Sequence, residues 1–317
     1  MERFGCTKSA AVRSMERGSV KKRIRKYRQI YLLMLPGILF FILFKLMPLW
    51  GLGVAFVDFD IMKGLTGSRF VGLKHFRDFL RADNFGMILR NTLVISFMDI
   101  LFAFPAPILL SLLLNEVRHV KYKSITQSII YMPHFMSWAV IAGLTFFLFS
   151  TDVGLVNKFL HATGGRVYPF LTNKNAFWWV LLGQNLWKEV GWGTIIYLAS
   201  ISQVDQGMYE AARIDGATRL QQICYVTIPA LVPTIIVLFL MRLGKIMDVS
   251  FEQVWMMQND MVRSVSETFE TYSFQVGVQM GNYSVGTAVG LFKSAIGLIT
   301  VLLSNWAIKK TGNEGIF

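Results

Sequence analysis

Charged side chains inside long apolar runs are rare, and where they occur they point to chemistry. Residues 184–192, Gln184-Asn-Leu-Trp-Lys-Glu-Val-Gly-Trp192, set two amides, a cation, a carboxylate and two tryptophans in the middle of an otherwise apolar stretch. Asp99, Lys45 and Lys293 interrupt other such stretches. A charge at the centre of a membrane span costs roughly 2.5 to 3.5 kcal/mol on insertion scales, so it faces protein or a water-filled cavity and marks a functional site. The 184–192 cluster suits a sugar: tryptophan ring faces stack on the apolar CH patches of a pyranose, while amides and charges bond hydroxyls or carboxylates. Gln184, Trp187 and Lys188 are the first candidates to line a substrate path, with Glu189 and Asp99 beside them. The alternative is that Lys188 and Glu189 pair with neighbouring helices while the tryptophans pack against lipid or a partner. Successive helical residues lie about 100° apart, so Lys188 and Glu189 do not both face one narrow lumen squarely.

Catalytic chemistry finds little to work with. The sequence contains no Gly-x-x-x-x-Gly-Lys phosphate loop, no His-Glu-x-x-His and no Gly-x-Ser-x-Gly, and its four histidines are scattered. The two cysteines, Cys6 and Cys224, form no metal-ligand pattern and imply neither a metal site nor a disulfide. No nucleotide, metal or other cofactor is expected in this chain.

The elements that position these residues are membrane spans. Of 317 residues, 54% are hydrophobic, gathered in long runs separated by polar segments, and the mean hydropathy is +0.47. A span needs about 20 mostly apolar residues. Six are expected, at 30–57, 91–114, 129–150, 176–201, 229–247 and 287–308, giving an all-α integral membrane protein. Pro105 and Pro107 remove backbone donors and are expected to kink or loosen the second span around Asp99, while Pro133 and His134 open the third. An even number of spans puts both ends on one side. With the ends inside, the inner segments carry 17 Lys or Arg, ten of them in residues 1–29, against nine in the outer loops. That bias makes the termini cytoplasmic. The formal net charge of +13 sits mostly beside spans, where it sets orientation and meets anionic headgroups rather than nucleic acid.

The organisation is therefore a basic tail at 1–29, partly disordered, a single membrane domain at 30–308, and a short cytoplasmic tail at 309–317. The tail preceding the first span is read as retained rather than cleaved. The outer segments 58–89 and 248–286 are large enough to receive an external partner. On the inner side, residues 202–228 form a polar, helix-prone loop. Glu210, Ala211, Ala212 and Arg213 are good helix formers, and Gly216 is a natural break before a second short helix. Ala211, Ala212, Ile214 and Leu220 supply a small apolar face to seat in another protein's groove.

Glu210-Ala-Ala, three residues, Gly216, then Val226-Thr-Ile-Pro229 resembles the Glu-Ala-Ala loop of the inner-membrane permease subunits of ABC importers. Val226 and Ile228 stand where the pattern has Ile and Leu. Leu35-Pro-Gly37, Lys45-Leu-Met-Pro48, Phe251-Glu-Gln-Val254, Ala288-Val-Gly-Leu-Phe-Lys293 and Asn313-Glu-Gly-Ile-Phe317 look like the carbohydrate-uptake branch, and more narrowly like permeases of the lipo-oligosaccharide, rhamnogalacturonan and alginate type.

The resemblance implies a type I ABC importer permease fold in a bacterial cytoplasmic membrane, a non-catalytic subunit. It implies a second, related permease, two ATPase subunits that bind ATP and Mg, and an extracytoplasmic sugar-binding protein. Glu210, Ala211, Ala212, Asp215, Gly216 and Pro229 would couple to the ATPase, with Gly216 allowing the bend, Glu210 and Asp215 making polar contacts and Pro229 starting the fifth span. The cargo implied is an oligosaccharide or polysaccharide fragment. A smaller solute such as a disaccharide or polyol is the alternative. An ATP-independent channel or secondary transporter and a membrane scaffold are further ones.

Overall fold

The computed structural model describes residues 26–310. Most of the basic tail, Cys6 and the terminal Asn313–Phe317 motif lie outside them. The chain divides into two compact units, Met1–Val54 and Ala55–Phe317.

The first unit holds most of helix α1, Arg28–Phe56. Its apolar side chains are exposed from Ile30 to Leu52, as suits a segment solvated by lipid. The second unit opens with a minimal antiparallel pair, β1 (Val57–Asp58) and β2 (Arg69–Phe70). A short helix at Lys74–Leu80 follows. Then come α2 (Phe85–Asn115), α3 (Val120–Phe135), α4 (Trp138–Phe149), α5 (Lys174–Ile201), α6 (Gln206–Ile214), α7 (Arg219–Gly244), α8 (Phe251–Met257), α9 (Phe269–Phe274) and α10 (Tyr283–Lys310).

Four of these, α1, α2, α7 and α10, are long and apolar enough to cross a membrane. A fifth counts if α3 and α4 form one span, but they meet at a bend of 100° rather than as the single helix expected over 129–150. The reason is local. Pro133 sits in a 3-10 turn at Met132–Phe135, Met136 is extended, and Ser137 starts α4 afresh, its hydroxyl accepting the Val140 N–H at 3.4 Å. The expected fourth span, 176–201, is one unbroken helix of 28 residues, about 42 Å at 1.5 Å per residue, but its polar residues keep it out of the apolar set.

Prolines shape three of the long helices in the same way. In α1, α2 and α7 the residue just before Pro48, Pro105 or Pro229 donates to the carbonyl five residues back: Met47 to Ile42, Phe104 to Asp99, Ile228 to Ile223. A proline ring clashes with the carbonyl four residues before it, and one widened π turn moves that carbonyl aside without breaking the helix. The loosening expected around Asp99 takes this form. Pro229 accordingly stands at the first turn of the regular α-helix Ile228–Gly244, which continues through the π turn from a helix start at Arg219.

The segment 248–286 is not an open outer connector. Val254, Met257, Val262 and Val265 are buried against Phe177 and Leu181 of α5, and Phe269 packs with Phe79, Ile88 and Val289. Two of its acids tie it to α10: Asp248 pairs with Lys293 at 2.7 Å, and Glu270 pairs with the same ammonium. A third cluster, Leu112, Tyr197, Ile201 and Leu231, ties α2, α5 and α7 together near the loop.

Candidate functional site

Helix α5 carries two polar stripes with opposite roles. Gln184, Lys188 and Gly191, spaced i, i+4, i+7, are turned into the protein. Asn185, Glu189 and Trp192, one residue on, line a cavity of about 370 Å³ together with Asp99 and Arg242.

The buried stripe is structural. Lys188 is 7% exposed, and its ammonium donates to the carbonyls of His134 and Met136 at 2.6 and 2.7 Å, with the Trp138 ring 5.5 Å away. Those carbonyls belong to the break between α3 and α4, where no helical N–H is available for them. Lys188 therefore pins the bend and is not among the residues that line this cavity. Gln184 donates to Thr145 Oγ1 at 2.7 Å and accepts from Gln253 at 3.2 Å, so it too is a strut. Gly191 is needed for space: a Cβ there would stand 2.0 Å from the Ile130 carbonyl oxygen of α3. Trp187 is half-exposed and is not part of the cavity lining.

The cavity stripe is charged and partnered. Asp99, on the π turn of α2, accepts from Asn185 Nδ2 at 2.8 Å and from Arg242 of α7 at 2.6 Å, joining three long helices through one carboxylate. Glu189 accepts from His134 Nδ1 at 2.9 Å, and the His134 ring stacks on Trp192 with centroids 4.4 Å apart and planes within 3°. Of the five path candidates, Asp99 and Glu189 thus share one cavity. Asn185, Trp192 and Arg242 belong with them although none was singled out from the sequence. Helical spacing from Glu189 selects the first two, and Arg242, a charge in the apolar run 229–247, carried the same signal as Asp99.

The second candidate site is the loop after α5. Asp205 caps α6 by accepting the Gly207 N–H at 2.9 Å. Gly216 ends it with φ +79°, in the left-handed region, and no atom lies within 4 Å of a Cβ built there. Its requirement is thus conformational, not spatial. Thr218 and Gln221 then form a reciprocal capping box at the start of α7. Met208 at 50%, Ile214 at 87% and Leu220 at 74% are exposed on this loop. Glu210 and Asp215 are exposed and make no ion pair among the described residues. Among the described residues no group of three or more His, Cys, Asp or Glu could hold a metal ion.

A helical membrane protein in which charges of three long helices meet beside a cavity, and whose polar loop presents a capped, open helix–turn–helix, has the features of the membrane component of a transporter. Residues 84–312 match the family described as binding-protein-dependent transport system inner membrane component, and the chain belongs to that family. It is 44% identical over 294 residues to Protein LplB of Bacillus subtilis (strain 168), covering 93% of this chain and 92% of the relative. It is also 44% identical over 295 residues, again 93% and 92%, to the polygalacturonan/rhamnogalacturonan transport system permease protein YteP of the same organism. Among solved structures, a chain of the bacterial alginate ABC transporter in complex with alginate pentasaccharide-bound periplasmic protein superposes with TM-score 0.84 at 35% identity, covering 93% of this chain and 99% of that one.

Proposed function

We propose that this chain is one of two permease subunits of an ATP-driven importer of oligosaccharides or polysaccharide fragments in a bacterial cytoplasmic membrane. The observation that carries the substrate class is the likeness, across nearly the whole of both chains, to a permease crystallised in an alginate transporter. In this reading α3 with α4 is the third of six spans and α5 the fourth. Helix α5 crosses the membrane despite its charges because those charges face protein and cavity, not lipid. Both termini and residues 202–228 are cytoplasmic. An extracytoplasmic binding protein delivers the sugar, a second, related permease completes the path, and two ATPase subunits bind ATP and Mg.

Coupling runs through the loop. The exposed apolar residues of α6 seat in an ATPase groove, with Ala211 and Ala212 allowing close approach and Glu210 and Asp215 bonding its polar rim. When the ATPases close, α6 and the start of α7 at Arg219 move with them. The π turn before Pro229 lets α7 transmit that displacement. At the other end of the lever, Arg242 of α7 holds Asp99, which Asn185 of α5 also holds, so the same motion reshapes the cavity beside Glu189 and Trp192. Trp192 offers a sugar-stacking face, and Asn185, Glu189 and Arg242 offer bonds to hydroxyls or carboxylates.

The test is ATPase activity of the reconstituted transporter, with both permeases, both ATPases and the binding protein, against a panel of neutral and acidic oligosaccharides. Stimulation by a glycan that is lost in Trp192→Ala supports the reading. Indifference to every glycan, with stimulation by a disaccharide or polyol, replaces it with import of a smaller solute.

A further inference from the structure

Behind α6, on the side away from its exposed apolar residues, the structure encloses a second and larger cleft of about 680 Å³, walled by the end of α2, by α6 and by the start of α7. Gln206, Tyr209 and Arg213, spaced i, i+3, i+7, turn one face of α6 toward it, while Met208, Ala211 and Ile214 turn the other face out. The cleft is cationic. Arg118, Arg213 and Arg219 line it against a single carboxylate, Glu116. Glu116 is consumed by Arg219 at 2.7 Å, a pair that fastens the end of α2 to the start of α7. Arg118 and Arg213 meet no carboxylate among the described residues. Two unpaired guanidiniums in a roomy polar cleft are a receptor for a doubly charged anion, since a guanidinium fork matches phosphate geometry. The volume falls in the range of small-molecule sites.

We propose that this cleft binds a phosphate-bearing ligand, either an anionic phospholipid headgroup or a soluble phosphorylated compound. The cleft lies at the ends of two membrane-crossing helices, where either source reaches it. Ligand bound there bridges Arg118 to Arg213 and fixes the inner face of α6, so it tunes how firmly the outer face is held for its partner. The site stands apart from the importer reading, because binding is measured on the chain without transport.

The experiment is the thermal unfolding midpoint of the full chain in phosphatidylcholine nanodiscs. Inorganic phosphate is titrated against sodium chloride of equal ionic strength, and the titration is repeated in nanodiscs containing phosphatidylglycerol. A midpoint raised by phosphate but not by chloride supports a soluble ligand. A midpoint raised only by phosphatidylglycerol supports the headgroup. In either case Arg118→Gln or Arg213→Gln raises the half-saturating concentration roughly tenfold, as expected for losing one charge-assisted bond. Lys121→Gln, an exposed cation outside the cleft, leaves it unchanged. No shift with either ligand, or equal shifts in the arginine variants, overturns the proposal. Arg118→Lys, which keeps the charge, guards against a folding defect.

Discussion

Helix α5 and the loop that follows it are neighbours in sequence and opposites in how they treat polar groups. On and beside α5 the interior charged groups have partners: Lys188 two carbonyls, Glu189 a histidine, and Asp99 of α2, facing Asn185, an arginine. In the loop, Glu210, Arg213 and Asp215 make no ion pair among the described residues, and three large apolar side chains stand exposed. The glycines divide the same way. Gly191 is there because nothing larger fits, Gly216 because few other residues adopt its backbone. The difference separates what holds this protein together from what it offers to others.

The largest expected effect comes from breaking the interior pair. Asp99→Leu leaves Arg242 without its carboxylate beside an apolar wall. The cost is about 3 kcal/mol, the low end for a stranded charge because Arg242 keeps access to the cavity. The measurement is the unfolding midpoint in detergent or nanodiscs, and Asp99→Leu combined with Arg242→Leu recovers most of the loss. A single variant as stable as the parent would remove the pair from the account of what joins α2 to α7. Lys188→Met comes next. It keeps the packing volume but leaves the carbonyls of His134 and Met136 unsatisfied at the α3–α4 bend, for about 2 kcal/mol. Increased hydrogen exchange at residues 132–140 is the specific readout, and a uniform change along the chain would argue against a pin at the bend.

Gly191→Ala follows, since the added methyl must push α5 from the α3 backbone, at about 1 to 2 kcal/mol. The same methyl at Gly183, where nothing lies within 4 Å, is neutral. If the two alanines cost the same, the close approach of α5 to α3 is not what Gly191 serves.

How much of this was legible in the sequence follows from which forces are local. The loop reads well because its determinants sit within a few residues: helix formers, then a glycine, then Thr218 three residues before Gln221. The long apolar helices read well because span length is fixed by the bilayer. The break at Met136 did not, because apolar content is continuous through it and only the pairing of Lys188 with carbonyls 52 and 54 residues away reveals its support. The packing of 248–286 was hidden for a similar reason. Its valines and methionine have no core of their own and acquire one from Phe177 and Leu181. The cavity was half legible: composition located the cluster on α5, but choosing Asn185, Glu189 and Trp192 over Gln184 and Lys188 required knowing which stripe of the helix faces in.

The smallest effects on the unfolding midpoint, and the sharpest contrast, lie at Gly216. Replacing it with valine forces a β-branched residue to φ +79°, which costs about 1 to 2 kcal/mol confined to an exposed turn. The bundle keeps its unfolding midpoint and inserts normally, while under the proposed coupling uptake is lost because α6 no longer meets the start of α7 at the angle its partner would require. Asparagine tolerates the left-handed region, so Gly216→Asn costs only a few tenths of a kcal/mol and retains most uptake. Space is not limiting there, so side-chain size alone has no purchase. At Gly191 the order inverts: asparagine is worse than alanine, since every added atom meets the Ile130 carbonyl. Uptake and midpoint measured on these four variants separate a glycine kept for its backbone from one kept for its emptiness. Equal loss of uptake with Asn and Val at position 216 would mean that the turn is read by contact with its partner and not by its angle.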